Sequence, residues 1–214
     1  MPGVPLTIDR DELRFEAAGD TRVARTVHPS GLRILTERVP GSQSATVGFW
    51  IPAGSRDEAA GAFGSTHFLE HLLFKGTSTR SALDIAVAFD EVGGDHNAVT
   101  AKEYTCYYAK VRDRDVPMAV TVLADMVAAS VIDAEEFETE RGVILEELAM
   151  ADDDPADVAG ERFAEAVFGG HPLGRPIGGS PASIEAVPRD AVLAHSRALD
   201  RAAELVVAAA GAVD

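Results

Sequence analysis

The sequence has little cysteine, little basic charge and no long apolar run. Cys106 is the one cysteine, so no internal disulfide is possible, which fits a reducing compartment. Lys and Arg number 19 against 35 Asp and Glu, and the formal net charge is −16. Nucleic-acid binding normally needs a basic surface, so we expect no nucleic-acid partner. The acidic excess predicts solubility or, as an alternative, a chamber that selects basic peptides.

Signals for membrane insertion and secretion are also missing from the pattern. The longest apolar candidate, residues 205–213, is strand-sized, whereas a membrane helix needs roughly 20 apolar residues. Residues 1–14 contain no basic segment followed by an apolar stretch, which a secretory signal would show. We therefore expect a cytoplasmic protein without a membrane partner.

Strands and helices are predicted to follow one another in groups. Strand patterns occupy residues 22–28, 32–39, 45–51, 96–101, 104–111 and 203–213, and helical patterns occupy 67–74, 82–92, 117–130, 134–150, 155–168 and parts of 183–199. Ser65 or Thr66, Ser81 and Asp133 are the predicted N-caps. This order predicts an α+β domain over residues 22–214, with a mostly antiparallel β-sheet and helices packed on one face. Residues 1–21 are predicted to form an N-terminal arm or an edge element.

Two histidines and a glutamate lie within the five residues His67-Phe68-Leu69-Glu70-His71. Residues four apart on an α-helix lie one turn above each other, so both imidazoles can face one ion. At about 100° per residue, Glu70 points into the same quadrant. The other positions of this helix are apolar, which indicates burial, and a metal ion would compensate the buried polar groups. A bare histidine pair is more often structural or exposed, and that alternative remains open on spacing alone.

A catalytic zinc site usually has three protein ligands and leaves one position for water. The acidic helix offers six candidates for the third ligand, Glu135, Glu136, Glu138, Glu140, Glu146 and Glu147. Glu140 and Glu147 are about 700° apart around the helix axis, so they share a face. Val143 and Ile144 lie near this face, which indicates that it is buried. Glu146 projects about 100° away from Glu147, so we expect it to be more exposed. The alternative is that the whole glutamate run is a solvated face.

The order His-x-x-Glu-His reverses the common zinc-peptidase motif and marks the inverzincins. Around it, the sequence resembles peptidase family M16, which includes the mitochondrial processing peptidase, pitrilysin and insulin-degrading enzyme. The resemblance covers roughly residues 22–214. It is carried by GSTHFLEHLLFKGT at 64–77, Asn97-Ala98, EYT at 103–105, YYA at 107–109, ERGVILEE at 140–147 and HPLG at 171–174.

This resemblance implies a zinc endopeptidase in which His67, His71 and Glu147 hold Zn²⁺. The family pattern places its glutamate ligand about 76 residues after the second histidine, and here 147 − 71 = 76. Glu140, seven residues earlier, matches a family glutamate that supports the site without binding zinc. Glu70 would be the general base of peptide hydrolysis.

The resemblance also implies a place for the peptide substrate. Asn97 and Ala98 match the edge strand of the family, to which an extended peptide adds as a further strand. The other histidines, His28, His96, His171 and His195, are interpreted as incidental or structural, and Cys106 as a packed residue.

Family members of this branch usually carry two homologous domains of about this size in each chain. We therefore expect the chain to be an N-terminal fragment that needs a second homologous domain or subunit and binds zinc with weak or absent proteolysis by itself. A homo-oligomer is a further possibility. Two other functions stay open: a non-catalytic structural subunit, and a different inverted-motif zinc enzyme resembling ribosylhomocysteine lyase. That lyase has a shorter chain and a catalytic cysteine near its metal, and Cys106 lies in no matching motif.

Overall fold

The computed structural model describes residues 13–199 and 202–213, which form one seven-stranded sheet and seven α-helices. The strands are β1 Leu13–Glu16, β2 Arg22–Val27, β3 Arg33–Arg38, β4 Ser44–Ile51, β5 Asp95–Thr100, β6 Thr105–Arg112 and β7 Val206–Gly211. The helices are α1 Ser65–Leu73, α2 Ala82–Asp90, α3 Val116–Ala129, α4 Ala134–Asp153, α5 Pro155–Phe168, α6 Pro181–Ala186 and α7 Arg189–Leu199. Within the described ranges, no helix is long and apolar enough to cross a membrane.

The strands lie in the order β1-β2-β3-β7-β4-β6-β5. All neighbouring pairs are antiparallel except β3 and β7, which run parallel. The predicted hairpin is present as β2 and β3, and Arg25 lies opposite Leu35 in its register. Strand β5 pairs only with β6, so it forms one edge of the described sheet.

The hydrophobic core lies between one face of the sheet and the helices. Val47 and Phe49 of β4 and Tyr107 and Ala109 of β6 are buried in one cluster with apolar side chains of α1, α2 and α3. Trp50 alternates with these residues along β4 and remains partly exposed on the opposite face. The predicted α+β class, with helices on one face of a mostly antiparallel sheet, is confirmed.

Some predicted boundaries differ from the structure. Residues 1–12 of the predicted arm lie outside the described residues, whereas Leu13–Glu16 pairs with β2 as an edge strand. The N-cap of α1 is Gly64, not Ser65 or Thr66, and its φ of 92° lies in the left-handed region that favours glycine. A Cβ there would also lie 2.4 Å from Ile184 Cδ1. The predicted caps Ser81 and Asp133 accept hydrogen bonds from the first turns of α2 and α4.

Candidate metal centre

Helix α1 has one buried face and one face that points into a cleft. Phe68, Leu69, Leu72 and Leu73 are buried in the core. The three motif side chains are partly exposed on the other side, where α1 contacts α4 and β5. The same nine residues therefore anchor the helix and present the polar groups.

The three predicted ligands converge on one point. His67 Nε2 and His71 Nε2 are 3.3 Å apart, and Glu147 Oε2 lies 3.3 Å from His71 Nε2 and 3.6 Å from His67 Nε2. Within the part of the chain that the structure describes, these residues form the one cluster suited to hold a metal ion. Ligand atoms about 2.0–2.1 Å from a tetrahedral ion are about 3.3–3.4 Å from one another. The observed spacing therefore fits a tetrahedral divalent ion.

The state of His67 also fits a ligand. Burial lowers the pKa of His67, and the neighbouring His71 lowers it further, while Glu70 and Glu147 oppose the shift. The neutral imidazole that results is the form that binds a metal. Its Nδ1 atom is buried without a hydrogen-bond partner among the described residues. The Nε2 atom, by contrast, faces the other two ligands.

Glu140 holds the second histidine from behind. Its side chain is 3% exposed, and its Oε2 atom accepts a hydrogen bond from His71 Nδ1 at 3.0 Å. Because the ionised carboxylate only accepts, the proton must sit on Nδ1, which leaves the Nε2 lone pair free for a metal. Lys75 Nζ lies 2.6 Å from the other oxygen of Glu140 and compensates its charge. Glu140 thus contacts His71 on the side away from the other two ligand candidates, and its supporting role stays a prediction.

One prediction about α4 is wrong. The shared face of Glu140 and Glu147 is not buried along its whole length, because the Glu147 side chain is 45% exposed and Val143 is exposed. The buried residues of α4 end at Ile144, about one turn before Glu147, and Glu147 itself lines the open cleft. Glu147 is therefore a ligand candidate at the rim of the site, not a core carboxylate.

Glu70 faces the same cleft from the middle of α1. The cleft has a volume of about 270 Å³ and is lined by Glu70, His71, Phe74, Lys75, Asn97, Glu140 and Glu147. Thr100, at the end of β5, donates its hydroxyl to Glu70 Oε2. This bond engages the Oε2 atom of Glu70.

Asn97 and Ala98 lie on the edge strand beside this cleft. Asn97 is exposed, and its Oδ1 atom accepts the backbone N–H of Ala98 at 2.8 Å. Their ladder partners on β6 are Tyr108 and Tyr107. Asn97 lines the cleft together with His71 and Glu147, whereas Ala98 is partly buried against the hydrophobic core.

The remaining histidines lie apart from the ligand cluster. His96 stacks on Phe89 with ring centroids 4.3 Å apart, and His171 Nδ1 accepts the N–H of Leu173. His195 is not incidental, because its Nε2 atom lies 2.9 Å from the Thr66 hydroxyl next to the first ligand. Cys106 is buried, and burial raises the pKa of its thiol to about 11, which fits a packed residue.

Three residues near the site were missed from the sequence: Lys75, Thr100 and Glu58. Lys75 follows His71 by one helical turn, so its spacing alone was a usable signal. Thr100 reaches α1 from the distant strand β5, whereas Glu58 lies 6 to 8 residues before Gly64 and Thr66 in a loop where no regular spacing identifies it.

Two histidines of one helix and a glutamate of a second, beside the further carboxylate of Glu70, form a candidate metal site of the inverted-motif class on this fold. The particular family follows from comparison with known proteins. The family model described as "Insulinase (Peptidase family M16)" matches residues 33–180, and the chain belongs to that family.

Relatives with names support the same assignment. An uncharacterized zinc protease of Streptomyces coelicolor is 53% identical over 192 residues, which cover 90% of this chain and 42% of the relative. A protein of Arabidopsis thaliana named as a probable beta subunit of the mitochondrial-processing peptidase is 39% identical over 197 residues, covering 92% of this chain and 37% of that protein. The chain thus spans less than half the length of these curated relatives.

Solved structures share the fold. A protease from Helicobacter pylori superposes with a TM-score of 0.86 at 23% identity, covering 91% of this chain and 47% of that chain. Pitrilysin superposes with a TM-score of 0.83 at 22% identity, covering 96% of this chain and 23% of pitrilysin.

Proposed function

We propose that this chain is the zinc-binding catalytic half of an M16 endopeptidase that hydrolyses short or unstructured peptides. The observation that carries the proposal is the convergence of His67, His71 and Glu147 at the spacing of a tetrahedral ion. Two nitrogen ligands and one oxygen ligand are typical of catalytic zinc, and relatives are named zinc proteases.

Each residue of the cleft has a chemical role in this proposal. His67, His71 and Glu147 would hold the zinc ion, which when bound would lower the pKa of a water molecule and polarise the carbonyl group of the peptide bond. Glu70 accepts the proton of the attacking water and passes it to the leaving amine. Thr100 orients Glu70, and Glu140 with Lys75 keeps His71 in the required tautomer.

We further propose that the peptide adds to the free edge of β5 at Asn97 and Ala98. Strand β5 pairs only with β6 within the described sheet, so its outer edge offers backbone N–H and C=O groups to an extended peptide. Asn97 also lines the cleft that contains Glu70. A peptide on this edge therefore runs past the general base.

The side chains next to the site favour a basic residue in the substrate. A second cleft of about 800 Å³, between α4, α5 and residues 174–181, includes Asp152, Asp157 and Glu161. Glu161 Oε2 is buried there without a partner among the described residues. Lys102 donates to backbone carbonyls in this cleft, and Arg175 donates through Nη2 to Ser55 and Arg56, while its Nε atom is buried without a partner among the described residues. A substrate arginine or lysine is the natural partner of the free carboxylate.

A second homologous domain belongs to the proposal, since this chain spans less than half of its relatives. That domain would enclose the peptide and supply groups that stabilise the oxyanion, and the loss of one such donor costs about 10²–10³ in turnover. We therefore expect the isolated chain to bind zinc and to cleave peptides weakly or not at all, as a fragment or subunit would. The cytoplasmic location and a homo-oligomer stay predictions.

Metal analysis of wild type and His67→Ala tests the site. We expect about one zinc per wild-type chain and a large loss in the variant, because two ligands do not complete the site. His28→Ala is the matched control, since His28 is exposed and bonds only within its turn, to Ser30. Zinc below about a tenth of an equivalent in the wild-type protein, purified without chelators, would contradict the assignment.

The catalytic role needs a separate experiment on the full-length protein that contains this chain. Glu70→Gln should retain zinc and lose peptide hydrolysis, because an amide does not take up the proton of the attacking water. Unchanged hydrolysis by Glu70→Gln would refute the role of Glu70 while leaving the metal site standing.

A further inference from the structure

The first metal ligand stands on the weakest part of its helix. Helix α1 has only nine residues, Ser65–Leu73, and His67 is the third of them. The first four N–H groups of a helix have no partner within it, and the first turn frays unless a side chain accepts them. The N-cap residue Gly64 has no side chain for this purpose. The position of the His67 ring therefore depends on a group from outside α1.

That group is Glu58, a buried carboxylate that the catalytic proposal does not use. Its residue is 6% exposed, and it lies in the loop between β4 and α1. Its Oε2 atom accepts the N–H of Gly64 and its Oε1 atom accepts the N–H of Thr66, both at 2.8 Å. Both carboxylate oxygens of Glu58 thus accept N–H groups at the start of α1, and the second of these groups belongs to the residue before His67. The negative charge also lies at the positive end of the helix dipole.

The same turn is tied to a second helix. The backbone N–H of Thr66 donates to Glu58, and the Thr66 Oγ1 atom lies 2.9 Å from His195 Nε2 on α7. Burial raises the pKa of Glu58, while the two N–H bonds and the Thr66 hydroxyl oppose that rise. Burial of a carboxylate costs desolvation free energy, and hydrogen bonds to its oxygens offset that cost.

We propose that Glu58 is a positioning residue that sets His67 for metal binding by capping the first turn of α1. Removing it lets the turn fray, so that His67 leaves its place while His71, one turn further and held by Glu140, stays. The site should then change from three protein ligands towards two. This inference rests on the proposed metal function.

The test compares Glu58→Gln and Glu58→Ala with wild type in the full chain, using Zn²⁺ affinity and the visible spectrum of the Co²⁺-loaded protein. Glutamine keeps one acceptor but turns its amide N–H₂ towards the second N–H, so the expected order of affinity is wild type, then Gln, then Ala. We expect a loss of about 10–100-fold for Ala, the range for residues that orient a ligand. The Co²⁺ bands should weaken as the tetrahedral ligand set is lost.

Asp84→Ala is the matched control. Asp84 accepts the N–H of Ser81 at the start of α2, which carries none of the proposed ligands. This variant should lose stability and keep both Zn²⁺ affinity and the Co²⁺ spectrum. If Glu58→Ala does not fold, Glu58→Gln carries the test.

Two results would overturn the inference. If the Glu58 variants lose stability like Asp84→Ala but keep Zn²⁺ affinity within about twofold and an unchanged Co²⁺ spectrum, Glu58 is only structural. If the wild-type chain itself binds neither metal, the proposed function fails and the inference fails with it. Weaker metal binding by the Glu58 variants, with unchanged binding by wild type and Asp84→Ala, supports the inference.

Discussion

The contact between Glu140 and His71 allows the sharpest prediction about metal affinity. Glu140 is buried and makes two contacts, to His71 Nδ1 at 3.0 Å and to Lys75 Nζ at 2.6 Å. Glu140→Gln retains an oxygen that accepts from Nδ1–H, but the bond is no longer charge-assisted and loses about half its strength. Glu140→Ala leaves Nδ1–H without an acceptor and frees the ring to rotate.

The magnitudes follow from this difference. Groups that orient a metal ligand are worth about 10–100-fold in metal affinity, or about 1.4–2.7 kcal/mol. We expect Glu140→Gln near the lower end and Glu140→Ala near the upper end. Competition for Zn²⁺ with a chromophoric chelator at constant pH measures both.

The control is Glu146→Gln on the same helix. It removes the same charge from an exposed side chain and should change affinity by less than about twofold, because exposed charges interact weakly through water. The reasoning is refuted if Glu140→Gln and Glu146→Gln weaken Zn²⁺ binding equally. It is also refuted if Glu140→Ala binds as tightly as wild type.

Three other perturbations test the core, the buried histidines and the second cleft. Phe68→Ala should reduce the free energy of unfolding, measured in urea, by about 3–5 kcal/mol. The Phe68 ring is fully buried and stacks on Phe137, with ring centroids 4.4 Å apart. Phe163 is exposed, so Phe163→Ala should reduce the free energy of unfolding by less than about 0.5 kcal/mol. Burial lowers the pKa of His67, His96 and His195 below the ordinary value for histidine, about 6.5, so the unfolded chain binds more protons near that pH. The free energy of unfolding of the metal-free protein should therefore decrease as pH falls from about 7.5 to 5.5, by at most about 1.4 kcal/mol per pH unit for each histidine. Urea unfolding in the presence of a chelator measures this decrease. A free energy of unfolding that stays constant over this range would contradict the lowered pKa values. In the full-length protein, Glu161→Gln should reduce kcat/KM at least about tenfold for peptides with arginine near the cleavage site. The kcat/KM for matched peptides with glutamine in place of arginine should not change. An equal reduction for both peptides would show that Glu161 does not determine specificity.

The parts of the site that were predictable from sequence are those with local geometry. His67, Glu70 and His71 lie on one short helix, so helical spacing alone brought them together. The assignment of Glu147 also needed the family spacing, because α4 packs against α1 only in the folded chain. The exposure of Glu147 was mispredicted because the angular positions of residues around α4 do not reveal where the helix packed against it ends.

The fold shows the same limit. Alternation and caps predicted most strands and helices, including the β2–β3 hairpin and the Ser81 and Asp133 caps. They did not predict the strand order, in which β7 lies between β3 and β4, since pairing between distant segments depends on the complete chain. The capping of α1 by Glu58 was missed for a different reason: Glu58 lies only 6 to 8 residues before the N–H groups it accepts, in a loop without regular spacing.

The central place of β7 has a consequence for biosynthesis. Strands β3 and β4 are consecutive in the sequence, yet each pairs with β7, the last of the seven strands to be translated. Until β7 emerges from the ribosome, the nascent chain has two unpaired strand edges facing one gap. Such edges are templates for aggregation. The sheet therefore becomes continuous only once residues 206–211 are available, and slow translation before residue 206 would prolong the exposure of both edges.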